Sequence, residues 1–180
     1  MKIGLIIDTY GEKSPGGLGR AIFEMVKALV ESDRRNTYAL YFKKKPEQPP
    51  NIDGDHWRAE TLGGKYLLLG GARNIDHTLD LYIFFNPIIP LFFFPKRSIV
   101  VAHDFAYLEI PSQSFKQKCT SLVLYVAHRV SLLKASKIVA VSQSTKESTM
   151  QHFHIAPEKI EVIYNGFIAP VDILEEIETP

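Results

Sequence analysis

The feature that most restricts the fold of this chain is a short apolar run, rich in Val, Ile, Tyr and Phe, that returns between helix-like stretches. It occurs at Lys2 to Asp8, Thr37 to Phe42, Asp80 to Phe85, Ser98 to Ala102, Lys137 to Val141 and Ile160 to Tyr164. Runs that stay apolar without strict alternation suit strands buried on both faces. Between the first two, Leu18 to Ser32 places Ala21, Ile22, Met25, Val26, Leu29 and Val30 on one helical stripe, with Glu24, Lys27 and Glu31 mostly elsewhere. Further helices are predicted over Phe115 to Ala135 and from near Ser144 to about Phe153. Strand and helix in alternation, joined by right-handed crossovers, predict an α/β chain: a Rossmann-like three-layer sandwich with a mainly parallel sheet. The chain is large enough for it, with 180 residues of which 46% are hydrophobic.

Ligands of such sheets sit beyond the carboxyl ends of the strands, and the chemically capable residues of this chain fall there. The first strand ends at Asp8 and leads into Gly16-Gly17-Leu18-Gly19-Arg20, the third ends at Asn86-Pro87, the fourth at His103-Asp104, the fifth at Ser142 and the sixth at Asn165-Gly166. Glycines without a Cβ let the backbone approach a bulky anion, while the first amides of the following helix stay unpaired and carry roughly half a positive charge. Arg20 adds a forked cation. The same loop also reads as a turn that merely admits a helix. A dinucleotide site fits poorly, because Thr9 to Pro15 separates the strand from Gly16 and because the second strand runs into Lys43-Lys44-Lys45, where an acidic ribose ligand is expected. No Gly-Lys-Ser or Gly-Lys-Thr follows, so the loop is not of the Walker type.

His103 offers an imidazole that can donate or accept a hydrogen bond; a histidine satisfied by loop carbonyls is the plainer reading. Asp104 either orients His103 or caps the next turn. Helix capping is the first explanation for Ser142 and Ser144, and Asn165-Gly166 is a turn signal. His152 and His154 lack a third ligand and read as surface or packing residues rather than a metal pair. His128 and Arg129 read as one snorkelling face of an apolar helix. The connection Asn86 to Phe94 is apolar enough that it must either be covered by the helix at Phe115 to Ala135 or touch something greasy, with Lys96 and Arg97 beside it.

The formal net charge of +1 gives no field that would draw nucleic acid. A single Cys119 and an N-terminus that begins directly with a strand fit a cytoplasmic protein. Pro87 and Pro90 break the most apolar stretch, which is too short to span a bilayer.

Taken in order, these segments resemble the N-terminal domain of retaining glycosyltransferases of the family 4 type, the N-terminal half of a GT-B fold. Pro15-Gly16-Gly17-Leu18-Gly19-Arg20 resembles that family's Gly-Gly-x-Gly-Arg loop, and Val100-Val101-Ala102-His103-Asp104 its strand ending in His-Asp. Ile138-Val139-Ala140-Val141-Ser142-Gln143-Ser144 and Ile160-Glu161-Val162-Ile163-Tyr164-Asn165-Gly166 resemble the two segments that close the domain.

The resemblance implies an acceptor-side domain over residues 1–166, with residues 167–180 as linker or the start of a C-terminal donor domain that this chain lacks. It implies transfer of a sugar from a nucleoside-diphosphate sugar to a glycan or lipid-linked acceptor with retention, as in polysaccharide biosynthesis. The isolated domain is then expected to be inactive. His103 and Asp104 are the implied catalytic residues; Gly16, Gly17, Leu18, Gly19, Arg20, Asn86 and Ser142 are implied to bind donor phosphate or acceptor; Asn165 and Gly166 form the hinge. No metal and no cofactor is expected, the sugar nucleotide being a substrate, and lipid-linked acceptors would bring peripheral contact with the inner face of a membrane. The alternative is a non-catalytic module of the same fold that binds a phosphate ligand or a partner.

Overall fold

The computed structural model describes residues 1–7, 17–43, 50–62, 71–109 and 114–166. Its centre is one seven-stranded sheet: β1 (Lys2–Ile7), β2 (Thr37–Phe42), β3 (Trp57–Thr61), β4 (Leu81–Phe84), β5 (Ser98–Ala102), β6 (Lys137–Ala140) and β7 (Ile160–Val162). The spatial order is β3-β2-β1-β4-β5-β6-β7, and every neighbouring pair is parallel. The predicted parallel sheet is therefore present, and six of its strands coincide with the six apolar runs.

The seventh, β3, lies at an edge and is half exposed along Trp57-Arg58-Ala59-Glu60-Thr61. Only one of its faces meets the core, so it never builds the continuous apolar run that marks a buried strand. Charged Arg58 and Glu60 also suit an edge that must not pair with another sheet.

Among the described residues, four α-helices accompany the sheet: α1 (Gly17–Ser32), α2 (Ala106–Glu109), α3 (Phe115–Lys134) and α4 (Gln143–Phe153). On one face, Ile22, Val26 and Val30 of α1 are fully buried against a cluster that includes Ile3, Leu5, Ile7, Leu40 and Phe42. Each such side chain contributes about 2 kcal/mol by leaving water. On the other face, Leu132 of α3 and Phe153 of α4 join Ile6, Phe84, Val100 and Ile138.

Helix ends follow local chemistry. Ser114 caps α3 in a reciprocal box, its hydroxyl accepting from Gln117 N at 3.2 Å while Gln117 Oε1 accepts from Ser114 N at 3.0 Å. Helix α4 ends at His154, which takes the left-handed φ of 54°.

The apolar connection after β4 divides. Ile89 and Phe93 are buried, Ile89 N donating to Ser131 Oγ of α3 at 2.8 Å and Phe93 packing on Tyr82 and Phe84. Leu91, Phe92 and Phe94 stay exposed. Helix α3 thus holds the connection at Ile89, while the sheet covers Phe93 and the tip stays open. The snorkelling face expected of His128 is a correction: its ring is buried, with Tyr107 Oη 2.9 Å from Nδ1 and the rings of Phe105 and Phe153 around it. A histidine on the core side of α3 cannot reach solvent from there, and its neighbour Arg129, half-buried, points elsewhere on the helix. No helix among the described residues is long and apolar enough to cross a membrane.

Candidate functional site

Strand β1 pairs with β2 on one side and β4 on the other, and the chain winds away from it in both directions. The carboxyl ends of β1 and β4 are thus the topological switch point, where adjacent loops part and leave a crevice. Of the residues expected there, Asp8 and Gly16 lie outside the described residues. Gly17, Leu18, Gly19 and Arg20 form the first turn of α1, with Gly19 buried and the other three exposed. That turn carries no acidic side chain to occupy its amides. A Cβ built on Gly17 meets nothing within 4 Å among the described residues, so none of them requires glycine there. Any need for it comes from what approaches the turn.

His103 follows β5 and ties that strand's end to its neighbour. Its Nε2 lies 3.1 Å from the carbonyl oxygen of Phe85, just past β4, and the amide of Phe85 donates to Ile6 O at 3.2 Å. The ends of β1, β4 and β5 are thereby linked in one chain of bonds. Because a carbonyl only accepts, Nε2 carries the proton and Nδ1 is the acceptor of the neutral ring. Burial lowers the His103 pKa, opposed by the Phe85 carbonyl and by the charge of Asp104. The plainer sequence reading, a histidine satisfied by a loop carbonyl, describes Nε2; Nδ1 is the atom left to meet a hydroxyl.

Asp104 is exposed, and its Oδ1 accepts from Ala106 N at 3.2 Å, opening α2. Of the two roles open to it in sequence, this is the capping one, and it acts on His103 through charge. Ser142 caps α4: its Oγ accepts from Thr145 N at 3.0 Å and lies 2.9 Å from Thr145 Oγ1. Thr145 Oγ1 in turn donates to the backbone oxygen of His103 at 2.8 Å. With that proton committed, Ser142 must be the donor to Thr145, so its hydroxyl serves the strand-to-helix corner first.

Asn86 is half-buried beside the switch point, its backbone oxygen accepting from Ile88 N at 2.7 Å. Asn165 and Gly166 are exposed beyond β7. Thr145 was not singled out in the sequence, although the spacing Ser142-x-x-Thr145 at a predicted helix start carried the signal.

The strand ends, the open turn of α1 and His103 thus share one edge of the sheet. The family model of Glycosyltransferase Family 4 matches residues 15–168, which takes in the turn of α1, His103 and every one of these strand ends except that of β1. The chain belongs to glycosyltransferase family 4. Among solved structures, this family 4 chain is similar to the wall teichoic acid polymerase TagF, at 13% identity with a TM-score of 0.49, over 91% of this chain and 38% of that one. A histidine-to-alanine variant of the polymerase matches with 13% identity, the same coverage and a TM-score of 0.50. A histidine-to-asparagine variant matches with 12% identity over 92% of this chain and 38% of that chain, at 0.48. At such identities only the match at a TM-score of 0.50 bears on the fold, and it agrees with a Rossmann-like half of a GT-B fold. The family 4 chain spans 38% of the length of these solved chains. No curated protein matches its sequence.

Proposed function

We propose that residues 1–166 form the acceptor-side domain of a retaining glycosyltransferase that moves a sugar from a nucleoside-diphosphate sugar to a glycan or lipid-linked acceptor in the cytoplasm. Residues 167–180 then belong to the linker toward a donor-binding domain, and Asn165-Gly166 to the hinge. One observation carries the proposal: the family match over residues 15–168 spans both the acid-free first turn of α1 and His103, at the edge where doubly wound sheets bind ligands.

The chemistry follows from those residues. Breaking the bond to the anomeric carbon leaves negative charge on the departing diphosphate, and preorganised amides stabilise it without reorienting. The free N–H groups of α1 supply such amides, with Arg20 as a second, charged donor. His103, kept neutral by burial and engaged through Nε2 with Phe85, is suited to hold a sugar hydroxyl through Nδ1. It orients rather than abstracts, because the departing diphosphate can take the acceptor proton on the face from which the acceptor attacks.

The test is a transfer assay on the product of the full coding sequence with a panel of nucleoside-diphosphate sugars, reading release of the nucleoside diphosphate. Release stimulated by a glycan or lipid-linked acceptor, and reduced at least a hundredfold in kcat by His103→Ala, is the expected result. Binding of diphosphate without any release would favour the non-catalytic module.

A further inference from the structure

Helix α2 is too short to hold itself in place. It has four residues, none of them buried, and a single turn gains too few hydrogen bonds to offset its own ordering. Its local ties are the bond from Leu108 N to Phe105 O at 2.8 Å and the Asp104 cap on Ala106 N. The segment that leads into it nevertheless carries His103 and Asp104. Where that segment lies is therefore decided by what it meets on the body of the domain.

Two side chains make that connection. The ring of Phe105, 3% exposed, lies edge-on to His128 of α3 at 5.5 Å and to Phe153 of α4 at 4.7 Å. Tyr107, in α2, sets its hydroxyl 2.9 Å from His128 Nδ1. The first contact is apolar and without direction. The second is directional, since a hydrogen bond weakens steeply away from its preferred distance and angle.

Packing alone does not ask for a histidine here. Phe105, Phe153 and the ring of Tyr107 surround position 128 with aromatic surface, and burying an imidazole among them costs desolvation, which lowers its pKa. The Tyr107 hydroxyl offsets that cost as the donor that a neutral Nδ1 accepts. Burial thus keeps the ring an acceptor and the bond in force at neutral pH. A satisfied polar pair enclosed by apolar groups fixes one arrangement where an apolar pair permits several.

On its other side the segment is anchored through His103, whose Nε2 meets Phe85 O just past β4 and whose carbonyl accepts from Thr145 of α4. We infer that Tyr107 and His128 are positioning residues, whose bond fixes the path from His103 through Asp104 into α2 and so sets the direction in which His103 Nδ1 faces the sheet edge. The consequence for catalysis rests on the transfer proposed for that edge. The geometry does not.

Imidazole nitrogen shifts, read by NMR on the labelled 180-residue chain, test the geometry because they report which ring nitrogen carries the proton. The His103 signals are identified by their loss in His103→Ala. In the parent at neutral pH they should show the Nε2–H form alone, as the bond to Phe85 O requires. Tyr107→Phe leaves a buried acceptor unpaired and should lower the urea midpoint. Tyr107→Phe with His128→Phe removes both polar partners, the larger ring filling the space that the hydroxyl leaves, and should regain most of that stability. In both variants His103 should nonetheless become a mixture of the Nε2–H and Nδ1–H forms. In transfer by the product of the full coding sequence, the double variant should lose at least tenfold in kcat with KM for the donor unchanged, the signature of a misplaced group rather than of lost binding. No transfer by the parent would count against the proposed function and leave the nitrogen shifts to decide the positioning. A mixture already present in the parent, the Nε2–H form alone in either variant, or parental kcat in the double variant overturns the inference, since the bond would then serve packing alone.

Discussion

His128 sits among Phe105, Tyr107 and Phe153, and burial brings its pKa from the ordinary imidazole value down to about 4. The ring is therefore neutral, and Tyr107, whose own pKa burial pushes up to about 12, donates its hydroxyl proton to Nδ1. An unfolded histidine takes up its proton near pH 6.5. Between that value and about 4 the unfolded chain binds a proton that the folded chain refuses, so stability falls as pH drops. The contribution is complete above the unfolded value and amounts to about 3 kcal/mol, lost by the time pH reaches the folded one. His103, lowered for the same reason, adds in the same direction. Urea midpoints of the parent should fall between pH 7 and pH 4.5, and His128→Gln should flatten part of that fall. An equal fall in the variant would remove His128 from the account.

Among elements, the junction of β5 with α4 controls where His103 sits. Thr145 bridges the two, accepting from Ser142 and donating to the His103 carbonyl. Thr145→Val keeps the shape and removes both bonds, leaving a half-buried carbonyl without its donor, at a cost of about 1–3 kcal/mol. Chemical denaturation should register that loss, and Thr145→Ser should restore most of it; a neutral valine variant would mean that water replaces the bond.

What the sequence could and could not reveal divides by element in the same way. Strands β1, β4, β5 and β6 were legible because parallel strands buried on both faces need unbroken apolar runs. The edge strand β3 was not, since half of it faces water and its residues alternate without a dominant face. Helix α2, four residues long, is too short to show a period. The site edge followed from topology alone, because strand order decides where crevices open. Which nitrogen of His103 is free did not follow, because it depends on the Phe85 carbonyl, which no side-chain pattern records.

At the scale of the whole molecule, one parallel sheet gathers the open turn of α1 and His103 at its carboxyl edge. The account rests on that edge. It is tested most directly by amide NMR of the labelled 180-residue chain as a nucleoside diphosphate is added, for the parent and for Gly17→Val. Among the described residues a Cβ at Gly17 meets nothing within 4 Å, and valine replaces glycine in a helix at no loss of propensity, so the variant should unfold at the same urea concentration or above. The prediction is that shifts concentrate on Leu18, Gly19 and Arg20 and extend to His103, and that Gly17→Val abolishes them while leaving the fold intact. Shifts confined to another part of the chain, or undiminished binding by Gly17→Val, would contradict it.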